Sequence, residues 1–321
     1  DSKLQFYDIK ASPKGTVWIA GQNGINTLRS NYTPQNFLNH KKVGSVYEIF
    51  DDNGRMWFAH YDGTLSYADE NDSIIEYQYN SVIKEYCMRA RIEILHYDED
   101  KNLHIGARGA GYLVVDSTGK LSKLIENFND EDAYIAVKLK NKAGFVWQSI
   151  DYGLFNPDEP IYFKVFDFDT KRYVKKELLF TVDQCRKDSR LGHYILVPKM
   201  TANGDCIFAT GSQYVIRIDS ALNVKKFAAP YSCFEVFQDH RGWIWGSDFI
   251  NDRLYCHKES MGEVDFVSIQ DEQYPLIRYE DQHNGLWGVA SSKLILIPFP
   301  EIDMLKFEES GTPPKGFNAI E

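Results

Sequence analysis

The chain holds 321 residues and 37.1 kDa; 43% are hydrophobic and 14% aromatic, which excludes a disordered chain and favours strands over helices. Its 46 acidic against 36 basic residues leave a formal charge of −10, which argues against a general nucleic-acid binder. No stretch approaches the roughly 18 apolar residues of a membrane span, so any signal or anchor segment is expected outside this sequence.

The predicted elements repeat along the chain. Gly15-Thr16-Val17-Trp18 introduces a word: Gly, one residue, an apolar residue, Trp. It returns as Gly54-Arg55-Met56-Trp57, Gly144-Phe145-Val146-Trp147 and Gly242-Trp243-Ile244-Trp245, and as Asn284-Gly285-Leu286-Trp287 with its Gly one place late. Lys101-Asn102-Leu103-His104 and Gly204-Asp205-Cys206-Ile207 are degenerate copies. The anchors at 18, 57, 104, 147, 207, 245 and 287 stand on average about 45 residues apart, the period of a propeller blade.

Each copy has one grammar. An alternating apolar run precedes the word, as in Val46-Tyr47-Glu48-Ile49-Phe50 and Cys233-Phe234-Glu235-Val236-Phe237. A polar turn follows, such as Asp51-Asp52-Asn53-Gly54 or Asp239-His240-Arg241-Gly242, and then the Trp-bearing strand. A second turn, a third strand such as Tyr112-Leu113-Val114-Val115, and a weaker fourth strand complete the unit, with almost no helical periodicity. Seven such units predict an all-β fold: a seven-bladed β-propeller of four antiparallel strands per blade, one domain over residues 1–308. Its last strand is expected near Met304-Leu305-Lys306-Phe307, and residues 309–321 read as a C-terminal tail or linker.

Asp52 to Leu65 closely resembles the two-component regulator propeller repeat, and Gly15 to Ile25 and Asp239 to Ser247 match it well. The copies at Lys101 and Gly204 depart from it by lacking the Trp. The resemblance implies the extracytoplasmic sensing region of a bacterial sensor kinase or related regulator, periplasmic or extracellular. Many such sensors in gut Bacteroidetes respond to glycans, and many carry two propellers in tandem before a further β domain, a membrane span and a kinase. It also implies a homodimer formed through neighbouring domains.

The chain has no HExxH, GxSxG, P-loop or paired CxxC, and no catalytic residue, metal site or cofactor is expected. Gly106 to Gly111 reads as a turn, and Asp69-Glu70-Asn71-Asp72-Ser73 lacks the Gly and Glu of a calcium loop. An odd count of five Cys is no disulfide framework. Buried thiols are expected, with one disulfide among Cys206, Cys233 and Cys256 left open. His104, at an anchor, is expected to be a packed structural residue.

A ligand is expected at the face made by the turns between second and third strands. The candidates there are His60, Tyr61, Asp62, Arg108, Asp151, Tyr152, Gln213, Asp248 and Phe249. The aromatics can stack on sugar rings, the polar groups can meet hydroxyls, and Arg108 can pair with a carboxylate or sulfate. The stretch Ser149 to Pro160 reads as the longest loop of that face, a candidate clamp. The function expected is therefore a ligand-sensing propeller of a two-component system. Its partner is a small molecule or oligosaccharide, with neither nucleic acid nor membrane contacted by this domain. Two alternatives stand beside it: a protein-interaction propeller without a small ligand, and a propeller lyase or glycosidase.

Overall fold

The computed structural model describes residues 5–28, 37–40, 44–52, 54–87, 92–107, 111–125, 131–138, 142–151, 154–155, 157–167, 169–188, 196–201, 203–229, 235–248, 253–258, 263–268, 275–281, 284–290, 293–297 and 318–320. These form seven antiparallel sheets whose strands neighbour one another in chain order. The first holds β1 (Phe6–Ala11), β2 (Val17–Gly21), β3 (Gly24–Leu28) and β4 (Phe37–His40). The second holds β5 (Val46–Asp52), β6 (Arg55–His60), β7 (Leu65–Ala68) and β8 (Ile74–Glu76). Helix α1 (Asn80–Cys87) leads to the third: β9 (Ile92–Tyr97), β10 (Leu103–Ala107), β11 (Gly111–Val115) and β12 (Leu121–Ile125). The fourth has five strands: β13 (Glu131–Lys138), β14 (Lys142–Asp151), β15 (Leu154–Phe155), β16 (Ile161–Asp167) and β17 (Arg172–Phe180). After helix α2 (Val182–Lys187) comes the fifth: β18 (Leu196–Met200), β19 (Cys206–Ala209), β20 (Tyr214–Ile218) and β21 (Val224–Ala228). The sixth holds β22 (Val236–Gln238), β23 (Ile244–Asp248), β24 (Arg253–Lys258) and β25 (Glu263–Ser268). The seventh holds β26 (Leu276–Glu280), β27 (Leu286–Ala290), β28 (Lys293–Ile297) and β29 (Asn318–Ile320).

The repeated word has a backbone cause. The residue three before the anchor has a left-handed φ at Gly15 (82°), Gly54 (84°), Lys101 (63°), Gly204 (80°), Gly242 (83°) and Asn284 (62°). Glycine adopts that region without steric cost and Asn tolerates it, which is why the seventh copy carries its Gly one place late. The turn aspartate six before the anchor supplies the second part. Asp239 Oδ1 accepts the N–H groups of Arg241 and Trp243, each at 3.0 Å, while Oδ2 accepts the indole N–H of Trp245 at 3.1 Å. Asp281 does the same for Gly285 N–H and Trp287 Nε1, both at 2.8 Å. At the third sheet His104 stands in for Trp. Its Nε2 lies 3.0 Å from Asp98 Oδ2, and Asp98 Oδ1 accepts Asn102 N–H at 2.8 Å. One side chain therefore closes the first hairpin and anchors the second strand.

Packing repeats in the same order. Trp18, Ala20 and Ile25 of the first sheet pack on Ile49, Met56 and Phe58 of the second. Trp57 packs on Leu95, Leu103 and Ile105 of the third. Trp245 meets Ile277 and Leu286 of the seventh, and Trp287 meets Ile9, Val17 and Ile19 of the first. Each of these four indoles is at most 1% exposed. A four-stranded sheet that is apolar on both faces has no stable existence alone, and its neighbours cover it.

Three readings of the sequence change. Ser149 to Asp151 is strand: β14 runs on to Asp151 and pairs with β15 (Ile150 opposite Phe155), so the long fourth unit comes from an inserted hairpin, a nine-residue β17 and α2. Two short helices occur. Thr181 and Gln184 form a capping box at the start of α2, and Asn80 binds both backbone groups of Leu65 at 2.8 and 2.9 Å beside α1. The strand bonded to β28 is Asn318–Ile320, inside the stretch read as a tail, while the one expected at Met304–Phe307 lies outside the described residues. Cys87 and Cys185 are free buried thiols, and Cys206 and Cys256 are buried; Cys233 lies outside the described residues.

Candidate functional site

The first strands of the sheets carry an irregularity. In six of the seven sheets the register between first and second strands shifts by a bulge, at Phe6/Asp8 in β1 and Val46/Glu48 in β5, for example. A bulge re-aims the side chains around it. Past it, Asp8 stands opposite Ala20 and Glu48 opposite Ala59, each two residues beyond the Trp anchor. Glu235 holds the same step in the sixth sheet, because the next residue, Val236, pairs with Gly246.

These carboxylates are buried with two cations from other first strands. Relative exposure is 0% for Asp8, 4% for Glu48, 8% for Glu235, 9% for Lys199 of β18 and 8% for Arg278 of β26. Lys199 Nζ lies 3.6 Å from Glu48 Oε1, which places the first strands of the fifth and second sheets face to face. Arg278 Nη1 lies 2.6 Å from Glu235 Oε2, a contact of charges whose angles do not make a hydrogen bond. Asp8 Oδ2 accepts the N–H of Ile49 at 2.9 Å, and its Oδ1 has no hydrogen-bond partner. Burial, and then the neighbouring Glu48, push the Asp8 carboxyl above its ordinary range; Lys199, Lys10 and Arg278 oppose that shift.

Aromatic rings flank this cluster. Tyr7 precedes Asp8 and Tyr47 precedes Glu48, and Tyr61 sits in the turn after β6. The Tyr61 ring lies edge-on to Tyr7 and Tyr47, with centroids 5.6 and 5.2 Å away, yet 56% of the residue is exposed. Tyr61 N–H donates to Ser45 O at 3.1 Å, and the Ser45 hydroxyl to Gln22 O at 2.6 Å, which ties two turns to this rim.

The residues expected to bind fall into three groups. His60 is buried, with Nε2 2.8 Å from Ser66 Oγ and Nδ1 3.4 Å from Gly44 O, and burial lowers its pKa; it supports the turn from beneath. Asp248 is 1% exposed and its Oδ2 accepts Arg253 Nε at 3.0 Å, so it too is occupied within the fold. Asp62 spends one oxygen on Thr64 N–H and hydroxyl and the other on Lys84, 3.3 Å away. Tyr61 and Gln213 are exposed at their turns. Asp151 ends β14 opposite Leu154, and Arg108, Tyr152 and Phe249 lie outside the described residues. The sequence reading passed over Asp8, Glu48, Lys199, Glu235 and Arg278. Their signal was present: a charge inside an otherwise apolar run, as in Val46-Tyr47-Glu48-Ile49-Phe50.

No protein-family model matches the chain, and no curated protein does. Solved structures match at the level of fold. Virginiamycin B lyase from Staphylococcus aureus, solved with quinupristin, is 12% identical with a TM-score of 0.63, over 92% of this chain and 94% of that one. The extracellular domain of a putative hybrid two-component system from B. thetaiotaomicron is 18% identical with a TM-score of 0.60. The match covers 91% of this chain and 38% of that one. YCF48 bound to D1 peptide is 9% identical with a TM-score of 0.63, over 93% and 94%. One all-β architecture thus serves a lyase, a sensor's extracellular domain and a peptide binder, and the site must decide among them.

Proposed function

We propose that the seven sheets are the blades of a closed propeller, that this propeller is the extracytoplasmic sensing domain of a two-component system, and that it binds a small polar ligand beside Tyr61. Closure is supported by β1 packing on β26 and β27, and by Trp287 filling the seam between the last and first sheets. The observation that carries the ligand reading is the mixed-charge cluster. First strands of five sheets bring three carboxylates and two cations together in a place where apolar residues would stabilise the fold more. Among those groups two buried carboxylate oxygens, Asp8 Oδ1 and Glu235 Oε2, accept no hydrogen bond. Tyr61, exposed at its turn beside Tyr7, gives the adjoining rim an aromatic surface suited to stacking on a sugar or another flat, polar molecule, with Tyr47 buried behind it. The extracellular domain of the hybrid system supports the sensing reading.

A thermal-shift screen with mono- and oligosaccharides and small polar metabolites tests this. A ligand that binds only the folded state raises the melting temperature with the logarithm of one plus its concentration over Kd. Tyr61→Ala, at an exposed position, leaves the unliganded melting temperature near that of the parent and abolishes the ligand shift. Ile75→Ala on β8, 37% exposed in the parent, leaves the shift intact. A ligand whose shift survives Tyr61→Ala overturns the placement of the site.

A further inference from the structure

Strand β17 differs from the other outer strands. It is nine residues long, and it carries Tyr173, Val174 and Leu178, three of the five large hydrophobic residues found exposed among those described (44%, 52% and 47%). One edge pairs with β16 from Arg172↔Asp167 to Phe180↔Ile161; the other has no ladder partner among the described residues. Across the two strands Tyr162 stands opposite Leu178, Lys164 opposite Lys176, and Phe166 opposite Tyr173. Aromatic or apolar pairs therefore alternate with a pair of cations on one sheet surface.

The charge here runs against that of the molecule. In a chain of net charge −10, this strip holds Lys164 and Lys176, with Lys171 and Arg172 at its turn end, where Arg172 stands opposite Asp167, and Lys225 and Lys226 on the adjoining β21. Lys226 Nζ donates to the Leu179 carbonyl and Lys175 Nζ to the Leu222 carbonyl, so the two outer strands form one surface. The single acid within β17, Glu177, is held 3.0 Å from Lys175. Like charges directly opposite one another on adjacent strands destabilise a sheet. The Tyr162 ring, 3.9 Å from Lys176 Nζ, and the Tyr173 ring, 5.9 Å from Lys164 Nζ, offset part of that cost.

We propose that the free edge of β17 docks an extended acidic segment of another protein, which adds to the fourth sheet as a further strand. The open N–H and C=O groups of β17 supply the main-chain bonds, Tyr173 and Leu178 take apolar side chains, and Lys176 between them takes a carboxylate. A second copy of this chain is the poorer occupant, because two molecules of charge −10 repel and self-pairing sets one cationic strip against another.

The test uses the full chain and a labelled nine-residue peptide, Thr-Val-Thr-Glu-Thr-Val-Thr-Glu-Thr, which as a strand presents Val and Glu in turn on one face, followed by fluorescence anisotropy. The peptide binds, and binding weakens with salt. The variant Lys176→Glu keeps the parent melting temperature and loses about tenfold or more in affinity. A Lys-for-Glu peptide fails to bind, and so does a peptide N-methylated on alternate residues, which keeps the charge but cannot pair as a strand. Equal binding of the N-methylated peptide overturns strand addition, and equal binding of the Lys peptide overturns the acidic occupant. A concentration-dependent dimer in sedimentation, abolished by Lys176→Glu, identifies a second copy as the occupant and also overturns the proposal. The Tyr61 ligand response is a separate readout on a different sheet, so either reading can fail alone.

Discussion

Replacing Lys199 by Met removes one partner of a buried pair and leaves Glu48 behind. The two side chains are 10% and 5% exposed and 3.6 Å apart. At an effective dielectric constant near 20, their attraction is worth about 4–5 kcal/mol. Removing one member of a buried pair costs about 3–5 kcal/mol, because the other stays uncompensated. Here the stranded carboxylate also faces Asp8, already pushed up in pKa by burial and by Glu48 itself. Lys199 holds the raised Asp8 pKa down, and without it the charged form of Asp8 costs more, so the loss is larger at pH 8 than at pH 5. Urea unfolding followed by Trp fluorescence and by circular dichroism at both pH values measures it. The double variant Glu48→Leu, Lys199→Met recovers most of the loss, since an apolar pair of similar volume replaces the ions. A single-variant cost below about 1 kcal/mol refutes the reasoning, being the value of a solvated surface pair. A double variant no better than the single refutes it as well.

Other outcomes follow from particular groups. The native state holds the Asp8 proton above the ordinary value near 3.8, so stability falls as pH rises from there through the raised native pKa. Asp8→Asn removes that slope from a melting-temperature series between pH 4 and 8. Lys101→Gly relieves a left-handed φ of 63° and raises stability by about 0.5–1 kcal/mol in urea unfolding, the reverse of the usual effect of glycine. Asp281→Ala orphans the buried Trp287 indole N–H and the Gly285 N–H and lowers stability by about 2–3 kcal/mol, read as a shift of the urea midpoint. Burial pushes the thiols of Cys87 (to about 12), Cys185 and Cys206 up, so a thiol reagent added to the native protein labels at most Cys256 and Cys233 before unfolding.

The repeat was legible because its word encodes backbone geometry. A left-handed residue three before the anchor recurs from sheet to sheet, and an aspartate six before it holds the buried indoles of Trp245 and Trp287. That physics is local, so one sequence exposes it, and it extends to the degenerate third unit, where the His104 imidazole replaces the indole against Asp98. The fourth unit was misread because turn residues such as Asp151 and Tyr152 look alike whether they join neighbouring strands or an inserted hairpin. Helix α2 was missed although Thr181-Val182-Asp183-Gln184 spells a capping box, because six residues show no helical period. His60 and Asp248 were read as surface groups because a turn position says nothing of depth. The Ser66 hydroxyl and the Arg253 guanidinium that engage them are known only once strands are paired.

The charged cluster was illegible for a different reason. Asp8, Glu48, Glu235, Lys199 and Arg278 stand far apart in the chain, and each looks like one polar slip in an apolar run. Only the stacking of sheets brings them within 4 Å of one another in pairs. The second strands and their turns carry the geometry that closes each sheet, and they leave the first-strand position opposite the second residue past the anchor unconstrained. It is Asp8 in the first sheet, Glu48 in the second, Ile94 in the third and Glu235 in the sixth. An apolar residue serves the fold at that position, as Leu276 does opposite Val289 in the seventh sheet, packed against the core there. The buried carboxylates are therefore a cost the architecture does not require, and they gather where the bulges and the tyrosine rim also gather. Departures from local consistency are expected at functional sites, and here several coincide in one place. A ligand site built this way can change its chemistry one first-strand residue at a time, without altering the hairpins that hold the sheets together.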